Sequence, residues 1–133
     1  MPNLYINSLP LPPETPAATV AKSEYLRPLV AQSLQKAYKA GVKMALATDA
    51  CIFPHGQYGR EFAALVANGV SELQALKMAT IFAADLLGIE DRGVIAVGKR
   101  ADLIAVPGNP LNDIGVMEDV RFVMKQGTVY RQE

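Results

Sequence analysis

The sequence predicts an α/β protein, and three observations support this fold class. Apolar residues recur at helical spacing through much of residues 1–88, and short β-type runs replace that spacing afterwards. Between two helical segments, the mostly apolar run Val42–Ala47 ends in Thr48 and Asp49, which is typical of a parallel strand buried on both faces. The change of pattern after Gly88 predicts two domains, residues 1–88 and residues 89–133.

The composition indicates one compact globular chain with no strong electrostatic preference. Half of its 133 residues are hydrophobic, and 13 basic residues balance 13 acidic ones. This balance predicts no nucleic-acid partner, and no window is apolar for long enough to span a membrane. The N-terminal residues lack the features of a secretory signal, and the single cysteine, Cys51, excludes an internal disulfide and fits a buried thiol. We therefore expect a cytoplasmic protein.

The first half of the chain is predicted to contain a strand, a loop and a helix before the apolar run. Residues 3–9 are compatible with a short strand, and four prolines indicate a loop over residues 10–16. Apolar positions at helical spacing predict a helix over residues 26–38, with Gly41 as its stop. Pro28 either opens this helix or kinks it.

The second half is predicted to begin with helices and to end in short strands. A short helix is expected from Arg60 to Asn68, with Gly69 ending it. Ser71 lies three residues before Gln74, which is typical of a helix start, and that helix is expected to continue to Gly88. The predicted β runs are Val94–Val97, Ala101–Val106 and Val120–Lys125, the last joined through Gln126 and Gly127 to Thr128–Arg131 as a tight hairpin.

Asp49 is the first candidate functional residue, because the chemistry of α/β barrels lies at the carboxyl ends of their strands. A carboxylate there can bind a metal, act as a general base or cap the following turn, and spacing alone does not choose between these roles. His55 lies in a glycine-bearing loop just beyond. A lone loop histidine is more often a packing residue, but its nearness to Asp49 favours function. Glu61 suits a helix N-terminus, and Asp102 is expected to pair locally.

The order of several motifs closely resembles the metal-dependent amidohydrolases. Gly41–Asp49, followed by Pro54-His55-Gly56 and Arg60-Glu61-Phe62, resembles the last barrel strand of that family. The later resemblances are residues 75–88 to the helices after that strand, residues 92–103 to the start of a small β-sandwich, and residues 120–130 to its closing hairpin. The Thr-Asp and Pro-His-Gly pairing resembles the imidazolonepropionase-like, Xaa-Pro dipeptidase (prolidase-like) branch. Ala47 and Gln57 depart from the residues usual in the family.

The resemblance implies that the chain is the C-terminal part of a (β/α)8 barrel, with its last two strands and their helices, followed by a β-sandwich segment. Residues 2–8 would correspond to the seventh barrel strand and residues 42–47 to the eighth. A complete barrel takes at least about 200 residues, and the family's histidine metal ligands have no counterpart in this sequence. Because two strands cannot close a barrel and would leave their edges exposed, we expect self-association or a companion chain that supplies the rest.

The resemblance also implies a function. The family hydrolyses an amide or peptide bond of a small substrate, such as a dipeptide, with water activated by one or two divalent metal ions, commonly zinc. Asp49 would be both a metal ligand and a catalytic residue, moving a proton from the water to the leaving nitrogen, and His55 would contact the substrate. The alternative is a non-catalytic chain that only folds or self-associates, since one aspartate and one nearby histidine would bind metal weakly.

Overall fold

The computed structural model describes residues 3–49 and 53–133 and has a small α/β architecture. Its helices are α1 (Leu4–Ser8), α2 (Ala17–Lys39), α3 (Arg60–Ala67), α4 (Glu72–Ala79) and α5 (Ile81–Leu86), its strands are β1 (Leu103–Ala105), β2 (Phe122–Lys125) and β3 (Thr128–Gln132), and a 3-10 turn covers Ile114–Glu118. The three strands form one antiparallel sheet in the order β1-β2-β3. None of the helices over the described ranges is long and apolar enough to cross a lipid bilayer.

Glycine ends three of the helices, as the sequence predicts. At the end of α2, Gly41 has a φ of +72°, which side chains with a Cβ rarely adopt. Its N–H donates to the Tyr38 carbonyl, and the next N–H, from Val42, donates to the Ala37 carbonyl, both at 3.0 Å. These two hydrogen bonds form the Schellman motif, which provides donors for carbonyls that have no partner within the last helical turn. Gly69 and Gly88 form the same pattern after α3 and α5.

The predictions of two strands in the first half of the chain are wrong. Residues 3–9 contain the helix α1, because the first amides of that helix donate to a carboxylate far along the chain, as described below. Val42–Ala47 forms no strand, since a strand requires a hydrogen-bonded neighbour and no described segment pairs with this run. The N–H of Leu46 donates instead to the carbonyl of Met78, at 2.9 Å. The last two barrel strands are therefore not formed as strands in the described residues.

Two further predictions are corrected in detail. Residues 94–97 lie outside the sheet, because no strand among the described residues pairs with this run, and Val97 is fully exposed. The predicted helix up to Gly88 is divided at Thr80, whose φ of −121° and ψ of −96° separate α4 from α5. The Thr80 hydroxyl donates to the Leu76 carbonyl at 2.7 Å, a local side-chain bond of the kind that competes with helix continuation.

Several local predictions are confirmed. The helix predicted over residues 26–38 is present as α2, although it begins earlier, at Ala17; Pro28 lies in its interior and therefore does not open it. The Ser71 hydroxyl accepts a hydrogen bond from the Gln74 N–H at 3.4 Å at the start of α4. The β2–β3 hairpin turns at Gln126 and Gly127, both with positive φ, which is the pattern of a type I′ turn.

Asp102 pairs locally, as expected. Its Oδ1 accepts a hydrogen bond from the Gln126 N–H in the hairpin turn at 2.8 Å, and its Oδ2 lies 3.2 Å from Arg92. One carboxylate thus ties the segment before β1 to the hairpin turn at the same end of the sheet.

The hydrophobic core lies between the helices and the 3-10 turn. Its buried residues are Leu4, Leu34, Phe62, Leu65, Val70, Ala75, Met78, Ile114 and Met117. Leu65 and Ala75 are completely excluded from solvent. Because the cluster contains residues from before and after position 88, the two predicted segments share this core, and their division into domains stays a prediction.

Candidate functional site

Asp49 lies exposed in a groove at the end of the apolar run. The groove has a volume of about 360 Å³, and its wall includes Asn3, Ile6 and Asn7 around α1, Leu9 in the proline-rich loop, and Ser23 and Arg27 on α2. Asp49 has a φ of +53°, which is uncommon outside glycine, although aspartate tolerates it better than most residues. The turn that Asp49 would cap includes residues 50–52, which lie outside the described residues, as does the predicted buried thiol of Cys51.

His55 is exposed in the loop before α3 and is paired with Tyr58. Its Nδ1 forms a hydrogen bond with the Tyr58 hydroxyl, and the two rings meet edge to face with their centroids 6.1 Å apart. His55 does not line the groove that contains Asp49. The structure therefore places the two predicted site residues in the same region of sequence but in different immediate surroundings.

A polar cluster around Tyr5 connects α1 to the loop that contains His55. The Tyr5 hydroxyl donates to Gln57 Oε1 at 3.2 Å and accepts from Arg60 Nη1 at 2.6 Å. The Tyr5 ring meets Phe53 edge to face at 5.1 Å, and Arg60 Nε donates to Glu118 at 3.1 Å. Hydrogen bonds to Tyr5 and Glu118 raise the pKa of Arg60, so this side chain remains a cation. Sequence reasoning missed the cluster because its members are far apart in the chain.

Glu61 is completely buried and holds the first turn of α1. Its Oε1 accepts from the Leu4 N–H at 2.6 Å, and its Oε2 accepts from the Tyr5 N–H at 2.8 Å. Burial raises the pKa of Glu61, and the two N–H bonds oppose that shift. The expectation that Glu61 only complements the dipole of its own helix is therefore incomplete. No local signal could reveal this role, because its partners lie more than fifty positions away in the sequence.

Arg27 is a second residue that sequence reasoning missed. It is half-buried on α2, and one of its terminal amino groups donates to the Leu9 carbonyl at 2.5 Å. Its Nε is enclosed and has no hydrogen-bond partner. Because Arg27 also lines the groove that contains Asp49, the groove carries one cationic and one anionic side chain.

The described residues supply at most part of a metal centre. Among residues 3–49 and 53–133, no group of three or more histidine, cysteine, aspartate or glutamate side chains is arranged to hold a metal ion. Zinc centres normally use three or four protein ligands. An exposed carboxylate on a groove is suited to be one ligand, so Asp49 fits a metal, but further ligands would have to come from outside the described residues.

The chain matches a known family over most of its length. The amidohydrolase family model matches residues 7–130. The chain therefore belongs to the amidohydrolase family, and it corresponds to the C-terminal portion of its homologues.

Individual relatives refine this assignment. Ochratoxinase from Aspergillus niger is 35% identical over 117 residues, which cover 84% of this chain and 24% of that protein. The crystal structure of a Xaa-Pro dipeptidase with methionine bound in its active site matches with a TM-score of 0.79 and 45% identity, over 84% of this chain and 28% of the other. A prolidase complexed with N-methylphosphonate-L-proline matches with a TM-score of 0.68 and 35% identity, over 90% of this chain and 30% of that one. The chain thus spans about a quarter of the length of the curated relative, and the resemblance to prolidase-like amidohydrolases is confirmed.

Proposed function

We propose that this chain contributes Asp49 and its groove to a metal-dependent amidohydrolase, which hydrolyses an amide or peptide bond of a small substrate as a dipeptidase does. The observation that carries the proposal is the position of Asp49, exposed on a groove at the end of the apolar run Val42–Ala47. The similarity to a Xaa-Pro dipeptidase and to a prolidase with a bound proline analogue supports a small dipeptide as substrate.

In this proposal Asp49 is the residue that moves the proton. Its carboxylate would accept a proton from the attacking water and deliver it to the leaving nitrogen, and it would be one of the residues that hold the metal. A divalent metal ion, zinc by the family's common choice, supplies Lewis-acid activation of water when bound. His55 contacts the substrate, and because its Nδ1 is paired with Tyr58, Nε2 is the nitrogen available for that contact.

The rest of the site has to come from elsewhere in the assembly. Residues 1–88 would form the barrel part and residues 89–133 the β-sandwich part, with a companion chain supplying the rest of the barrel in the cytoplasm. The run Val42–Ala47 supports this arrangement, since its backbone has no strand neighbour in the described part of the chain.

The test combines intact mass, bound metal and hydrolysis on one purified sample. We expect an assembly larger than one chain, with about one or two metal ions and hydrolysis of alanyl-proline. Asp49→Asn keeps the size of the side chain but removes its charge, so we expect it to lower kcat by about 10²- to 10⁴-fold and to weaken metal retention. The matched control is Asp85→Asn, an exposed aspartate paired with Lys43, which should leave both readings unchanged.

Two outcomes would contradict the proposal. A single chain without stoichiometric metal and without hydrolysis would favour the alternative of a non-catalytic chain. Full hydrolysis by Asp49→Asn would show that the enzyme does not use this carboxylate.

A further inference from the structure

We infer that the groove beside Asp49 binds the carboxylate of a small amino-acid-like ligand through the guanidinium of Arg27. The inference rests on the proposed function and deepens it. If the groove receives the substrate, Arg27 selects dipeptides that carry a free C-terminal carboxylate.

The hydrogen bonding of Arg27 is incomplete. A guanidinium has five N–H donors in a fixed planar arrangement, and the Leu9 carbonyl accepts from only one of its terminal groups. The Nε–H is enclosed without an acceptor, so a ligand in the groove would meet the remaining N–H donors of the terminal amino groups. A carboxylate is the acceptor that suits this group best, because its two oxygens can take two parallel N–H bonds from one edge of the guanidinium.

The shape and lining of the groove suit a ligand of dipeptide size. Its volume of about 360 Å³ lies within the usual range for small-molecule sites, about 300–1,000 Å³. Polar groups of Asn3 and Ser23 line it together with Arg27, while Leu11 and neighbouring prolines provide an apolar side. An apolar ring or short aliphatic side chain fits against that side while the carboxylate meets Arg27.

The charges in the groove narrow the class of ligand. Arg27 and Asp49 are the two charged residues among the described residues that line it. A multiply charged anion such as phosphate would be repelled by Asp49. A zwitterion with one carboxylate and one ammonium group, such as a free dipeptide at neutral pH, complements both side chains.

The test compares two ligands that differ only at the carboxylate. Alanyl-proline and its C-terminal amide are titrated into the 133-residue chain, and the Nε–Hε resonance of Arg27 is followed by NMR. We expect the acid to shift this resonance saturably and to bind at least tenfold more tightly than the amide. Arg27→Lys identifies the resonance by removing it. The acid and the amide are compared on the unmodified chain, and Arg27→Lys serves only to assign the resonance.

A variant pair provides the second measurement. Arg27→Gln should reduce the affinity for the acid to that for the amide, while Arg131→Gln, which removes an exposed arginine paired with Glu133, should leave it unchanged. Equal affinity for acid and amide, no shift of the Arg27 resonance, or full affinity in Arg27→Gln would each overturn the inference. Selective binding without hydrolysis would support this inference while the proposed function fails. Hydrolysis of both peptides with equal affinity would overturn this inference alone.

Discussion

Replacement of Glu61 by alanine should destabilise this protein more than any exposed carboxylate replacement would. In the native structure both Glu61 oxygens accept backbone N–H groups of α1, from Leu4 and Tyr5. Alanine removes both acceptors and leaves space in a region that is closed to solvent at Glu61. The helix α1 would then lose the contact that fixes its first turn to α3.

The size of the loss follows from how each bond is enclosed. A hydrogen bond to a charged group contributes about 1.5–3 kcal/mol, and a donor left unpaired in the interior costs about as much. The hydrogen bond from Leu4 is buried, so its loss costs the full amount. The hydrogen bond from Tyr5 is partly buried, so water can hydrogen-bond to the freed N–H and offset part of the loss. We expect Glu61→Ala to lower the free energy of unfolding by about 3–4 kcal/mol, a large share of the roughly 5–15 kcal/mol typical of a domain.

Urea denaturation followed by circular dichroism at 222 nm measures this loss directly. Glu118→Ala is the matched control, because Glu118 is an exposed carboxylate that pairs with Arg60, the neighbour of Glu61. An exposed pair contributes at most about 1 kcal/mol. The reasoning would be refuted if Glu61→Ala cost no more than Glu118→Ala.

The dependence on pH gives an independent check on Glu61. Burial raises its pKa above the ordinary value of 4.5, so the folded state binds this proton more tightly than the unfolded state does. Stability from this group is therefore fully present below pH 4.5 and decreases as the pH rises through the raised pKa. Glu61→Gln removes this titration, so the stability of the wild type relative to Glu61→Gln should fall over that window. Other carboxylates titrate in both proteins and cancel in the difference; a constant difference would contradict the assignment.

Three further predictions test the packing and the sheet. Leu65→Ala removes a side chain with no exposed surface and should lower the free energy of unfolding by about 2–5 kcal/mol, measured by urea denaturation. Gly59→Ala would place a Cβ 2.3 Å from the Met117 carbonyl oxygen, so its thermal midpoint should fall further than that of Gly98→Ala, where no atom lies within 4 Å and only the φ of +84° opposes a side chain. Asp102→Asn removes the charge that pairs with an arginine and holds the hairpin-turn amide; hydrogen exchange of that amide should become faster, with about 1 kcal/mol lost.

The parts of the fold that depend on local chemistry could be predicted from the sequence. A glycine such as Gly41 ends a helix because its own φ allows the Schellman bonds, and the Gln126-Gly127 turn forms for a similar local reason. The strand over residues 42–47 could not be predicted in the same way, because a strand exists only when a second segment supplies its hydrogen bonds. Its composition indicates burial on both faces, but no described part of the chain supplies that neighbour.

The candidate site also contains residues that the local sequence reveals and residues whose role depends on a distant partner. Asp49 could be found because the end of an apolar run marks it in the sequence itself. Arg27 and Glu61 could not, because each acquires its role from a backbone group distant in sequence, the Leu9 carbonyl for Arg27 and the α1 amides for Glu61. Both partners belong to the segment that forms one wall of the Asp49 groove. Glu61 therefore affects this groove by holding α1 in place, whereas Arg27 affects it through its positive charge. Replacing the ligand's carboxylate by an amide should weaken the attraction to Arg27 and leave the contribution of Glu61 unchanged.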